Sequence, residues 1–549
     1  MTEIISQKEW KKYILAAIIS CLVFVSFEII PLIKYSNEHP YGGKAISKQE
    51  ASTKAINFAK QHLGVTVRAS KPIHQSKRLF VGYLDKEKLT ANYDQQYDSH
   101  FPNDFFQVRL TIAGMQETPT VDVHMYSGEI VGWHFPKLQS MQTDEEKATK
   151  PLDKQTQIDA ITGELLRYHL HPKQLQQWEQ TPDGLWKATS SSYNIGEATM
   201  EVTAQAALIN DRIVVTKYAS NFIPPDDYIT YVKQQDKLAM QLSQYGYLLM
   251  SIVLAILAII YAIVYRQYTS FKYGIMLTAI FFLTYLIMNL NMIDGMFALE
   301  GAIPSNSAPF KLLMIVVMFI LTVMMAFSVY ISIFAGEGLW RVQKRSIWPK
   351  RGEQGYGNYI WRSMILSYLF AFIMLGLQPV IFWILSKVIG TWSTSDVSTS
   401  PYNMSVLWLM PVLAWAAAIS EEAIFRLFGI GLFRRWFRNT FAAAILPTIF
   451  WALGHVTYPF YPATTRLIEL IIIGLLFSFI FVRYGFPTAV FTHAIFNTIA
   501  VSSSLYMMGS TTDKLSATFF LILPVIIAFL LRKWDGTRRN SGKVPLQRS

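Results

Sequence analysis

Ser420-Glu421-Glu422-Ala423-Ile424-Phe425-Arg426 interrupts an apolar run that extends from about Met404 to Phe433. Ionisable side chains are costly at membrane depth, so they face a bundle interior or a wet cavity and mark function. On a helix, Glu422 and Arg426 stand four residues apart and pair along one face, while Glu421 is turned about 100° away. The spacing predicts a structural pair, Glu422–Arg426, and leaves Glu421 free for chemistry. A helix-packing salt bridge without chemistry fits the same stretch.

Working outward, the chain of 549 residues is 52% hydrophobic and only 16% charged, against roughly 25% charge in soluble domains. Repeated apolar runs of about 20 residues predict a polytopic α-helical membrane protein. About ten spans are expected: Tyr13–Ile33, Tyr245–Tyr265, Tyr273–Ile293, Phe310–Ala335, Ile360–Ile389, Met404–Phe428, Phe441–Val456, Leu467–Val482, Pro487–Met507 and Ala517–Leu531. Basic residues gather in alternate connections, at Arg266 and Lys272, Arg341 to Arg351, Arg434 to Arg438, Arg483, and Arg532 to Arg539; the loops Asp294–Pro309 and Thr391–Asn403 have none. That alternation predicts a cell-membrane protein with both termini cytoplasmic. It accounts for the net charge of +12 with the bilayer, not nucleic acid, as partner. The one cysteine, Cys21, lies in the first run, so no intrachain disulfide forms. That run lacks a cleavage pattern, and residues 1–34 read as an anchor.

Residues 35–241 contain no candidate span and predict an extracytoplasmic α+β region between spans 1 and 2, built of two similar units. Ser47-Lys48-Gln49-Glu50 is a capping box opening a helix that Gly64 stops. Strands are expected at Phe106–Ile112, Thr118–Tyr126 and Ile130–Phe135. A second helix, about Gln155–His169, precedes strands at Leu185–Ser191, Ala198–Ala207 and Arg212–Ala219. His100, His124 and His134 lack metal-ligand spacing. The repeated order, with Tyr126-Ser127-Gly128-Glu129-Ile130-Val131-Gly132, resembles PepSY/YpeB-like modules. The resemblance implies a binding or inhibitory unit, and so a ligand for this domain.

Beyond residue 242, spans 2–4 occupy 242–358, a core 359–532, and a basic tail 533–549 that is expected to be disordered. Within the core, His455 ends Phe450-Trp451-Ala452-Leu453-Gly454-His455, and His493 and Asn497 share one helical face in His493-Ala494-Ile495-Phe496-Asn497. Two histidines, two glutamates and an amide in nearby spans are each expensive in lipid, and packing does not require them together. With Glu421-Glu422-x-x-x-Arg426 they resemble the type II CAAX prenyl endopeptidase / bacteriocin-processing (ABI, CPBP) intramembrane proteases, whose motifs are EExxxR, FxxxH and HxxxN/D. Trp451 stands where the second motif has phenylalanine, and adjusted packing is the expected consequence.

The resemblance implies an intramembrane endopeptidase acting on a membrane-associated protein or peptide precursor. Glu421 would activate a water with His455, and His493 and Asn497 would stabilise the oxyanion. Glu421, His455 and His493 are also legitimate Zn2+ ligands, so a metal stays open; without His-Glu-x-x-His, a zincin arrangement is excluded. Two other classes compete. One is a non-catalytic receptor or immunity protein with a ligand-binding outer domain. The other is a transporter whose Glu/His cluster relays protons.

Helical rise sets a geometric condition. His493 falls about 9 Å from Pro487, near the inner face, and Glu421 about 12 Å from Gly429 if that glycine ends its helix. His455 lies about 22 Å from Thr440. A break at Asn439–Leu446 is therefore expected. Gln378-Pro379 predicts a kink, and Arg466 and Glu469 are expected to snorkel at an outer helix end.

Overall fold

The structure is a computed structural model. It describes residues 5–38, 44–113, 115, 117–136, 152–168, 170–209, 212–270, 272, 274–299, 308–349 and 353–540. Residues 300–307 of the outer loop, Lys350 and Arg351, and residues 541–549 of the tail lie outside these.

Among the described residues seven helices are long and apolar enough to cross a membrane: Gln7–Lys34, Asp226–Val264, Leu312–Val342, Tyr356–Val388, Leu407–Phe437, Thr464–Tyr484 and Thr511–Asp535. Ile275–Asn291 and Thr440–Leu453 are shorter apolar helices. Phe486–Met508 is a 23-residue helix whose apolar run is broken by Thr492, His493, Asn497 and Thr498. A helix thus stands at every position expected for a span, but seven of them have the length and composition to cross. The last helix continues to Asn540, so the first residues of the basic tail are helical.

Between the first two long helices lies a β-rich extracytoplasmic domain. Its strands are Val67–Ser76 (β1), Asp104–Ile112 (β2), Thr120–His124 (β3), Ile130–His134 (β4), Leu175–Gln180 (β5), Trp186–Ile195 (β6), Ala198–Ile209 (β7) and Arg212–Ile223 (β8). They form one eight-stranded sheet in the order β1-β2-β3-β4-β8-β7-β6-β5. Two antiparallel meanders meet where Trp133 pairs with Tyr218 and His134 with Lys217. Lys48–Leu63, capped by Ser47 and stopped by left-handed Gly64, and Lys154–Leu165 belong one to each half. Ala51, Ala55 and Ala59 of the first helix share a core with Val108, Val121 and Trp133 of the sheet. Alternation in β2, β3 and β7 provides that apolar face.

The domain is seated on the helical body. His74 donates its backbone N–H to Asn403 Oδ1 at 2.8 Å, and its Nδ1 meets Ser400 Oγ at 2.8 Å. Lys71 pairs with Asp294. Arg78 forks onto Asp236 at 2.9 and 3.1 Å, and Tyr461 Oη donates to the same carboxylate at 2.5 Å. Tyr461 stacks on Trp392 with centroids 4.3 Å apart, and both rings join the domain's core. The connection that follows His455 is therefore clamped by the extracytoplasmic domain.

Candidate active site

The motif helix does not stop at Gly429. It runs as an α-helix Val412–Glu421, a π-helical segment Glu422–Ile430 and an α-helix Gly431–Phe437. Gly429 serves packing instead: a Cβ there would lie 3.0 Å from Pro447 Cβ. At about 1.5 Å per residue, Glu421 sits about 24 Å from Phe437, and His455 about 22 Å from Thr440. The two depths agree, and the break expected at Asn439–Leu446 is absent. Thr440–Leu453 is one helix, capped by Asn439 and carrying Pro447 inside it. The connection after His455 leads to the extracytoplasmic domain, while His493 stays about 10 Å from the start of its own helix at Phe486.

The helices bring both glutamates and both histidines together. His455 Nε2 is 3.9 Å from Glu421 Oε1, and His493 Nε2 is 3.7 Å from Glu421 Oε2. His493 Nδ1 bonds Glu422 Oε1 at 2.9 Å. Arg426 Nη1 lies 3.3 Å from the same oxygen, with both side chains at most 1% exposed. Glu422 is wholly buried between Arg426 and His493, while Glu421 keeps 20% exposure. The π-helical segment contains Glu422 and Arg426, and such segments are frequent at functional sites.

Tautomers follow from the partners. His455 Nδ1 donates to the Trp451 carbonyl at 2.9 Å, because a carbonyl only accepts. Its Nε2 therefore turns a lone pair toward Glu421 when the ring is neutral. His493 stacks on Phe477 with centroids 4.6 Å apart, which fixes its ring plane. The Arg426 guanidinium makes no hydrogen bond to a described residue. It is held by charge and by the faces of Trp451, 4.3 Å away, and Phe477, 5.3 Å away. Asn497 is half-buried one turn beyond His493, and no hydrogen bond joins its side chain to another described residue.

Sequence reasoning missed one neighbour. The Trp451 indole N–H donates to Glu421 Oε2, so the tryptophan does more than adjust packing. A second correction concerns Arg466 and Glu469. They do not snorkel: Glu469 is fully buried, and takes hydrogen bonds from Arg466 at 3.0 Å and Gln378 at 3.0 Å. A carboxylate wholly out of water requires such partners, and Gln378, beside the helix-interior Pro379, supplies one.

Among the described residues no group of three or more His, Cys, Asp or Glu side chains is arranged to hold a metal. Each histidine bonds through Nδ1 to another group and turns Nε2 toward Glu421.

Fold and site together define a polytopic helical membrane protein with a β-rich extracytoplasmic domain and a buried glutamate–histidine centre. The segment 403–499 matches the family model described as Rce1-like, "Type II CAAX prenyl endopeptidase Rce1-like". That window encloses Glu421, Glu422, Arg426, His455, His493 and Asn497, and makes this part of the chain a CAAX-protease-like domain. No curated protein and no solved structure matches the chain.

Proposed function

We propose that the protein is an intramembrane endopeptidase that hydrolyses a peptide bond of a membrane-associated protein or peptide precursor. One observation carries this reading: imidazole nitrogens from another helix and from the turn that ends a third converge on Glu421, at 3.7 and 3.9 Å, while that carboxylate keeps some exposure. A water donating to both Glu421 Oε1 and His455 Nε2 fits off the line between two acceptors so spaced. Glu421 takes its proton as the oxygen attacks the scissile carbonyl carbon. The tetrahedral oxyanion is met by His493 Nε2–H and the Asn497 amide, donors worth about 3–4 kcal/mol each at comparable sites. The Nδ1 of His493 donates to Glu422, so Nε2 donates only from the doubly protonated ring. Glu421 and Glu422 then balance Arg426 and that imidazolium charge for charge. Collapse breaks the C–N bond, and the proton held by Glu421 passes to the leaving amine.

The same proposal takes ten helices as spans, adding Ile275–Asn291, Thr440–Leu453 and Phe486–Met508 to the seven, with the basic connections cytoplasmic. It keeps residues 35–241 as a two-unit outer domain and 359–532 as the protease core. Replacing Glu421 by glutamine tests the function: processing is lost if it is a protease. A receptor whose helices only anchor the outer domain retains full ligand response.

A further inference from the structure

We propose that Trp451 positions Glu421 through its indole N–H, a role that rests on the proteolytic function proposed above. Trp451 is 3% exposed and touches three members of the site at once. Its Nε1–H donates to Glu421 Oε2. Its carbonyl accepts from His455 Nδ1 at 2.9 Å. Its ring face covers the Arg426 guanidinium at 4.3 Å. The seat for the ring is built by the facing helix. A Cβ at Gly474 would come within 2.8 Å of Trp451 Cζ3, and Phe477 meets the ring edge-on at 6.0 Å.

The donor decides which way the carboxylate turns. Glu421 lies between His455, His493 and the buried Arg426, and the guanidinium and the doubly protonated His493 ring attract its oxygens. Holding Oε2 on the indole leaves Oε1 facing His455 Nε2, the orientation a shared water needs. Phenylalanine, the residue of the matching motif, keeps the ring's burial and its stacking on Arg426 but supplies no donor. Without the N–H the carboxylate swings toward His493, 3.7 Å away, and the water loses its alignment. Misplacement of that size is costly to rate even when binding is intact.

Two substitutions separate donor from shape. Trp451→Phe returns the motif residue. Trp451→3-benzothienylalanine, inserted by stop-codon suppression, keeps the bicyclic outline and replaces N–H by sulfur. The readout is the rate at which terminal peptides that depend on Glu421 appear in the membrane fraction, with Glu421→Gln as reference. Both Trp451 variants are expected to slow those peptides about tenfold, the loss of one hydrogen bond to a charged group. In parallel, the resonance-Raman indole N–H band of Trp451, taken as wild type minus Trp451→Phe in full-length protein, is expected to shift in Glu421→Gln. A benzothienylalanine variant running at the wild-type rate, or an indole band indifferent to Glu421→Gln, overturns the positioning role while leaving proteolysis standing. Failure of proteolysis itself reads differently: Glu421→Gln leaves every terminal peptide in place, and the positioning role falls with it.

Discussion

Glu422→Gln removes the charge from a fully buried carboxylate and strands the guanidinium of Arg426 beside it. At 3.3 Å and an effective dielectric constant of about 20, the lost attraction is about 5 kcal/mol. Breaking a buried pair by deleting one partner costs about 3–5 kcal/mol in practice. The Arg426 guanidinium has no hydrogen bond to a described residue to soften the loss. The double substitution Glu422→Leu/Arg426→Met removes both charges together. It strands only the Nδ1–H of His493, now bonded at 2.9 Å, a loss of about 1–3 kcal/mol. The double variant is therefore expected to be more stable than Glu422→Gln. Denaturant titration of the full-length protein in mixed micelles, followed by tryptophan fluorescence, measures both. If the double variant is no more stable than Glu422→Gln, Glu422 and Arg426 are not coupled and the assignment of Glu422 to structure fails.

Processing is expected to survive exhaustive chelation, since no step here uses a metal; activity lost on chelation and restored by zinc contradicts that. Tyr461→Ala removes the stack on Trp392 and the bond to Asp236, and loosens the connection that follows His455. Protease nicking within residues 456–463 and a severalfold fall in processing are expected, and unchanged processing removes the clamp from the mechanism. In the extracytoplasmic domain, burial pushes Asp98 and Asp122 up to about 6 and Lys77 down to about 8. From about pH 4 to 6 the native carboxyls hold protons that the unfolded ones have released, so stability falls as pH rises. From about pH 8 to 10.5 the unfolded lysine holds the extra proton, so stability rises with pH. Hydrogen exchange of the sheet amides, corrected for intrinsic rate, is expected to show least protection between these limbs, and Asp98→Asn/Asp122→Asn is expected to flatten the acidic one.

Local rules carried the membrane class and the separation of Glu421 from Glu422, because hydropathy and i,i+4 spacing are properties of one segment. Several strands of the outer domain were visible for the same reason, whereas the β4–β8 pairing that makes one sheet of them joins residues such as Trp133 and Tyr218, far apart in the chain. Gly429 was misread because a glycine in a bundle can admit a neighbouring helix, here Pro447, as readily as it can end its own. Arg466 and Glu469 look like a helix-end pair until Gln378, from another helix, closes over the carboxylate. Trp451 carries the same lesson: its aromatic character is legible, but the target of its N–H lies on a different helix.

The most direct measurement labels new protein termini in membrane fractions of cells expressing wild type or Glu421→Gln, grown in water enriched in oxygen-18. If Glu421 activates a water, a set of fragments present with wild type disappears with the variant, and each new carboxyl terminus carries solvent oxygen. Identical termini in both cultures, with the variant folded and equally abundant, contradict peptide hydrolysis at this site.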